Sequence, residues 1–190
     1  MELTQKTSLQ KLKERELYEM SKLYFKDYLF REVVDKNEKL NYKIYQEYMN
    51  KWNDLCFIVS THQKKNTKEN ILQIEIENFL EKLGWSRRQG EVVTQKHISV
   101  GSNQTLIPDI TIESNNKVLF VVELKHPNES VEKHKKQLIS YMRQLKLRFG
   151  VLLGDKFQLY YDDTTEDSTE AQKVFEAAFT ENNPEAEELL

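Results

Sequence analysis

Apolar and polar positions change period along this chain, and the changes mark its elements. Between residues 5 and 34, Leu9, Leu12, Leu17, Met20, Leu23, Tyr24, Leu29 and Val33 recur at helical spacing, which predicts a long helix. The polar stretch Asp35–Asn41 predicts a turn. A second helix is expected from about Tyr42 to Asp54, with Tyr45, Tyr48 and Trp52 along one side, closing a helical hairpin. That aromatic stripe fits a core face first. A base-stacking platform or a protein-docking arm are the alternatives. Leu55–Val59 is a short apolar run of ambiguous type, and the polar stretch Thr61–Asn70 reads as a connector.

A third helix should start near Thr67 or Lys68 and run to Leu83, with Leu72, Ile76, Phe79, Leu80 and Leu83 as its apolar stripe and Gly84 as its stop. A strand is expected over Glu91–Val100 and a turn over Gly101–Thr105. Two apolar runs follow, LIPDITIE and KVLFVVELK, joined by Ser114-Asn115-Asn116, residues that tolerate turn geometry. The second run is nearly continuous, as in a strand covered on both faces. Residues 130–146 predict another helix. Phe149–Leu153 and Lys156–Tyr161 predict two strands about the Gly154-Asp155 hairpin signal. The order is helix, three strands, helix, two strands. It implies an α/β fold with a mixed central sheet flanked by helices, preceded by the N-terminal helical hairpin. The divisions expected are a helical extension over 1–60, a central domain over 61–163 and an acidic tail over 164–190.

Charge changes this picture at the C-terminus. Residues 162–190 hold ten acids and one lysine, which leaves residues 1–161 with 27 basic and 21 acidic side chains. A basic body is compatible with a phosphate-bearing partner. The acidic segment reads as a disordered, solubilising tail, although Val174, Phe175 and Phe179 suggest that part of it docks. No apolar run reaches membrane-spanning length, so a membrane location is not expected. Cys56 is the single cysteine. It excludes an internal disulfide and fits a small buried residue in a reducing cytoplasm.

The chemistry is concentrated in the two apolar runs, which carry acids where a buried strand should have none. An ionised carboxylate in a sheet is costly unless charge or hydrogen bonds meet it. Glu123 and Lys125 are two apart, so they share a face. Asp109 joins them only if the hairpin register allows it. A three-residue loop at 114–116 sets Asp109 opposite Val121, on the same face. A two-residue loop at 115–116 sets it opposite Val122, on the other face. A metal site therefore demands the longer loop or a bulge that corrects the register. One or two carboxylates suit Mg²⁺, with Mn²⁺ as a substitute. A bound ion would polarise a phosphate and acidify water, and Lys125 would orient that water. On the preceding helix, Glu69 falls on the apolar face one turn before Leu72. It either points to the sheet or simply favours the helix dipole.

Pro108-Asp109 followed by Glu123-Leu124-Lys125 resembles the PD-(D/E)xK motif of restriction-endonuclease-like nucleases. Gln137 and Tyr141, four apart on the following helix, resemble the QxxxY motif of a subset of them. There the pair lies beside the site and contacts substrate or the catalytic lysine. More narrowly, TKENILQIEIENFLEKLGW, IPDITI, VLFVVELKHP, QLISYMRQL and FGVLLGDKFQLYY are similar to the N-terminal nuclease domain of type I restriction enzyme R subunits. That similarity covers about residues 67–163, and residues 1–60 lie outside it. Many relatives carry Cys where Leu124 stands. The resemblance implies a Mg²⁺-dependent DNA endonuclease in restriction, with Asp109, Glu123 and Lys125 catalytic. It implies metal ligation by Asp109 and Glu123 assisted by Glu69, and substrate contacts from Gln137 and Tyr141.

No G-x-x-x-x-G-K-[ST] sequence occurs, so no motor is expected in this chain, which reads either as a fragment of a larger protein or as a short stand-alone one. The rival reading is a catalytically silent module of the same fold that binds nucleic acid, or binds proteins through its N-terminal helices. Lys133, Lys135, Lys136, Arg143, Lys146 and Arg148 could track a nucleic-acid backbone, as could Arg87 and Arg88. Each alone is ordinarily a solvated charge. His126, beside Lys125, is either a phosphate contact or an ordinary loop histidine.

Overall fold

A computed structural model describes residues 42–100, 104–163 and 171–187. The expected helix over 5–34 lies outside them, and with it the first limb of the N-terminal hairpin. Helix α1 runs Tyr42–Lys65 and α2 runs Glu69–Lys82. The two form a helix pair on one side of the sheet. α1 is longer than the pattern suggests, and the ambiguous Leu55–Val59 is helical. Leu55, Cys56, Val59 and His62 are buried at helical spacing, so packing decides a segment whose local pattern does not. The connector shrinks to Asn66–Lys68, with Asn66 at φ 48° taking the left-handed conformation that ends a helix. Leu72, Ile76, Phe79, Leu80 and Leu83 are all buried, as the stripe predicts.

Strands follow as β1 (Val92–Thr94), β2 (Ile98–Val100), β3 (Gln104–Leu106), β4 (Ile110–Ser114) and β5 (Lys117–Leu124). The single strand expected over 91–100 is split in two. Gln95, at φ 46°, breaks the ladder while its N–H donates to the Asp109 carbonyl. β2 leaves the main sheet and pairs with β3 alone. A 3-10 turn, Val131–His134, leads into α3, Lys135–Leu145. Then come β6 (Phe149–Leu153), β7 (Lys156–Tyr161), β8 (Gln172–Ala178) and the short α4 (Pro184–Glu187). The main sheet has six strands in the order β1-β4-β5-β6-β7-β8. Only β5 and β6 are parallel, joined by the α3 crossover. This is the mixed α/β architecture expected from the order of elements.

The solubilising, disordered tail is corrected over 171–187. β8 closes the sheet against β7, with Val174, Phe175 and Ala177 buried. Trp52 of α1 holds this segment, donating from its indole to Thr180 O at 2.9 Å and stacking on Phe179 at 5.8 Å. Few acids of this stretch fall on inward positions, so its composition hides a strand with an apolar face.

Alternation along β5 divides the core. Phe120, Val122 and Leu124 join the larger cluster, which includes Trp52, Leu72, Ile76 and Phe157. Val121 joins a smaller cluster under α3, with Leu138, Met142, Leu152 and Tyr160. α3 approaches β6 so closely that a Cβ on Gly150 would lie 2.6 Å from Met142 Sδ. The acids of interest lie on the α3 side, at the end of this smaller core.

Candidate active site

The β4–β5 hairpin decides whether Asp109 and Glu123 share a face. Ser114 pairs with Lys117, so the loop is the two residues Asn115 and Asn116, at φ 51° and 61°. Positive φ at both central positions is the type I′ geometry that matches strand twist. The three-residue loop is therefore not formed. Instead the register shifts inside the hairpin: Glu113 pairs with Val118, but Ile112 pairs with Phe120. Leu119 is the extra residue of a β-bulge. Beyond it Ile110 pairs with Val122, which sets Asp109 across from Glu123 itself. A short turn and a bulge together produce the juxtaposition that the chemistry requires.

Two buried acids of the hairpin are satisfied very differently. Glu113 meets Lys96 Nζ at 2.8 Å and Thr111 Oγ1 at 2.9 Å. Glu123 is 2% exposed and meets Lys125 Nζ at 2.8 Å through Oε1, but its Oε2 is buried with no partner. Such an orphaned oxygen is costly. Lys125 Nζ also lies 3.8 Å from Asp109 Oδ2 and 3.9 Å from Glu69 Oε1. Asp109, Glu123, Lys125 and Glu69 thus come together. Glu69 reaches in from the first turn of α2 and faces the sheet end, the first of the two orientations its helical angle allows. Asp109 Oδ2 accepts a hydrogen bond from the Leu124 N–H at 2.8 Å, a backbone latch that fixes it against β5.

These neighbours set the proton affinities. Burial, with Asp109 adding to it, raises the Glu123 carboxyl to about 7 despite the opposing pull of Lys125. Burial alone would depress the Lys125 ammonium. The hydrogen bond and charge of Glu123, with Asp109 and Glu69, outweigh that and raise it. A protonated Glu123 therefore competes with an ionised one near neutral pH. The Lys125 ammonium, in contrast, stays charged.

Gln137 and Tyr141 lie on the α3 face nearest the hairpin. Gln137 Nε2 donates to Tyr141 Oη at 2.9 Å, and that hydroxyl donates to Ile107 O at 3.4 Å. Neither bonds Lys125, so within the protein the pair braces the chain leading into Asp109. Burial raises the tyrosine, and the charges of Glu123 and Asp109 add to that rise. Among the described residues, no three His, Cys, Asp or Glu side chains stand together as a ready-made metal cage. The three acids gather around the lysine rather than around one another.

His126 departs from the ordinary loop histidine. Its Nδ1 accepts from the Asn128 N–H at 3.1 Å, which leaves the proton on Nε2, and that atom is buried without a partner. Its position after Lys125 was the only signal in the sequence. The Leu124 latch and the Gly154 contact, where a Cβ would approach Lys125 Cβ to 3.3 Å, left no signal at all.

A family model for the N terminus of type I restriction enzyme R proteins matches residues 4–169. The chain belongs to this family. The R-protein match takes in residues 4–60, which the motif-based similarity left outside, so the N-terminal extension is part of the family pattern. A comparison with curated proteins finds no match. The match is consistent with the nuclease domain of R subunits. No helix among the described residues is long and apolar enough to cross a membrane.

Proposed function

We propose that the chain hydrolyses DNA phosphodiester bonds as a divalent-metal-dependent endonuclease, in the cytoplasm and as part of a restriction system. The observation that carries this reading is the convergence of Asp109, Glu123 and Lys125 at one end of the hairpin, with Glu123 Oε2 buried and unpartnered. That orphaned oxygen beside a second carboxylate fits a hard cation, which needs only one or two carboxylates besides water and phosphate. Asp109 and Glu123 would hold Mg²⁺ or Mn²⁺, and Glu69, more exposed, would assist. When bound, the ion would polarise the scissile phosphate and lower the pKa of a water.

The protein's own groups do the rest. The dry wall under α3 keeps solvent from Glu123 and strengthens every interaction there. Lys125, kept protonated by three acids, orients the attacking water and offsets charge developing on the phosphate. The Leu124 latch holds Asp109 still, so the two carboxylates keep their separation. Gln137, exposed on α3, would present its amide to the sugar-phosphate chain, with the hydroxyl of the buried Tyr141 holding it in place. No covalent nucleophile is needed.

The test is nicking of supercoiled plasmid with Mg²⁺ or Mn²⁺, comparing the parent with Asp109→Ala and Lys125→Ala. Each variant should lose at least about a hundredfold in rate, the usual effect of removing one preorganised charge or donor. A parent no more active than both variants would reject the reading. A parallel RNA substrate distinguishes DNA from RNA hydrolysis.

A further inference from the structure

Charge is divided unevenly between the two helices that border the acid cluster. α2, which supplies Glu69, also carries Glu75, Glu77 and Glu81 against Lys82, and Arg87 just beyond it pairs with Glu77 at 3.2 Å and Glu81 at 3.0 Å. Across the site, the run that contains α3 carries Lys133, Lys135, Lys136, Arg143, Lys146 and Arg148, and no acid occurs between Glu132 and Asp155. Lys135 lies over the Tyr160 ring at 5.8 Å, and Arg143 pairs with Asp162 at 3.4 Å. Lys133, Lys136, Lys146 and Arg148 are exposed and make no ion pair among the described residues. The helix under them is rigidly seated, because Leu138 and Met142 are fully buried against the sheet. Scattered surface lysines ordinarily alternate with acids. A run this long without one, on the helix that also carries Gln137, is a directed positive surface.

We propose that the exposed face of α3, with Lys133 before it and Lys146 and Arg148 after it, is the track along which the backbone of duplex DNA runs toward Asp109 and Glu123. From Lys136 to Lys146 the helix rises about 15 Å, which matches about four phosphates of one strand at about 3.4 Å of duplex axis each. The strand reaches the site past Gln137 and Tyr141, on the α3 face nearest the hairpin. The cleavage step rests on the function proposed above, but the binding does not.

The experiment separates the two. A fluorescent DNA duplex is titrated with the full chain in EDTA, where nothing is cleaved, across roughly 50–200 mM KCl, a range set by the usual salt dependence. The parent is compared with Lys136→Ala/Lys146→Ala and with Lys82→Ala. Lys82 is an exposed lysine at the end of α2, on the opposite face of the sheet from α3. The double variant should weaken binding and reduce the slope of log K against log salt by about 1.8, that is about 0.9 for each lost phosphate contact. Lys82→Ala should leave the slope unchanged. An unchanged slope in the double variant overturns the proposal, as does an equal change in the control or no parent binding at the lowest salt. Tighter binding of a hairpin RNA with the same lysine dependence would reassign the surface and also overturn it. A parent that nicks plasmid while the lysine slopes are unchanged refutes the track alone. The expected slopes without nicking refute the nuclease alone.

Discussion

Replacing Glu123 with Gln should make the metal-free protein more stable while removing its proposed activity. The side chain is 2% exposed, and its carboxyl is raised from 4.5 to about 7 by burial and by Asp109. Glutamine is close in shape to the protonated acid. Below about pH 4.5 the carboxyl is protonated in both folded and unfolded chains, so the favourable contribution is fully present and the variant should match the parent. As pH rises the unfolded chain ionises first and binds fewer protons than the native one, so the parent loses stability until the folded group titrates near 7. Above that, the difference should level off at about 3 kcal/mol in favour of Glu123→Gln, because each tenfold change in proton affinity is worth about 1.4 kcal/mol. For a protein of this size that corresponds to a midpoint higher by about 6–12 °C. Urea denaturation in EDTA at about pH 5 and about pH 8.5, on either side of the folded titration, measures it. Mn²⁺ at the higher pH should then stabilise the parent by mass action and leave the variant unmoved. A variant less stable than the parent at the higher pH, or a gap that does not change with pH, would refute the dominance of burial at Glu123.

Other perturbations test the packing and the register. Gly150→Ala places a Cβ 2.6 Å from Met142 Sδ and should cost about 1–3 kcal/mol by overpacking, read by urea denaturation. Asn116→Gly, at φ 61° in the type I′ turn, should not destabilise the hairpin and should raise the thermal midpoint slightly, because Asn-Gly is the favoured pair there. Deleting Leu119 removes the bulge but leaves Ile112 paired with Phe120 and Asp109 across from Glu123, now in a regular ladder. Nicking should therefore survive the deletion while circular dichroism reports a folded sheet, and a fall to the level of Asp109→Ala would refute this account of the register.

The helices and strands nearest the site were legible because their periods are clean. The stripe Leu72–Leu83 and the run VLFVVEL allow one burial pattern each. The register of the hairpin was legible only as a condition. Turn residues Asn115 and Asn116 announce a tight loop, but nothing in LFVV marks Leu119 as the residue that the ladder skips. Its place is set by the fold, where Leu119 packs against the larger core and Val118 against the smaller one. The extent of α1 beyond Asp54 was lost for a related reason, since Leu55–Val59 fits a strand or a helix until the core it faces is known. β8 was hidden by charge: its acid and lysine lie at the edge and around Gln158, where they pair with one another. Asp109, Glu123, Lys125 and Glu69 could all be named, whereas the unpartnered Nε2 of His126 is a property of the folded neighbourhood alone.

Asp109, Glu123 and Lys125 lie within one hairpin, seventeen residues from first to last. Contacts so close in sequence close small loops and tend to form early. The wall that dries Glu123 arrives from much farther along the chain, with α3, β6 and β7. A hairpin formed without that wall would leave its glutamate with the proton affinity of one in water. The setting at Glu123 matures only when the crossover helix settles, so the proposed chemistry would wait until the domain is whole.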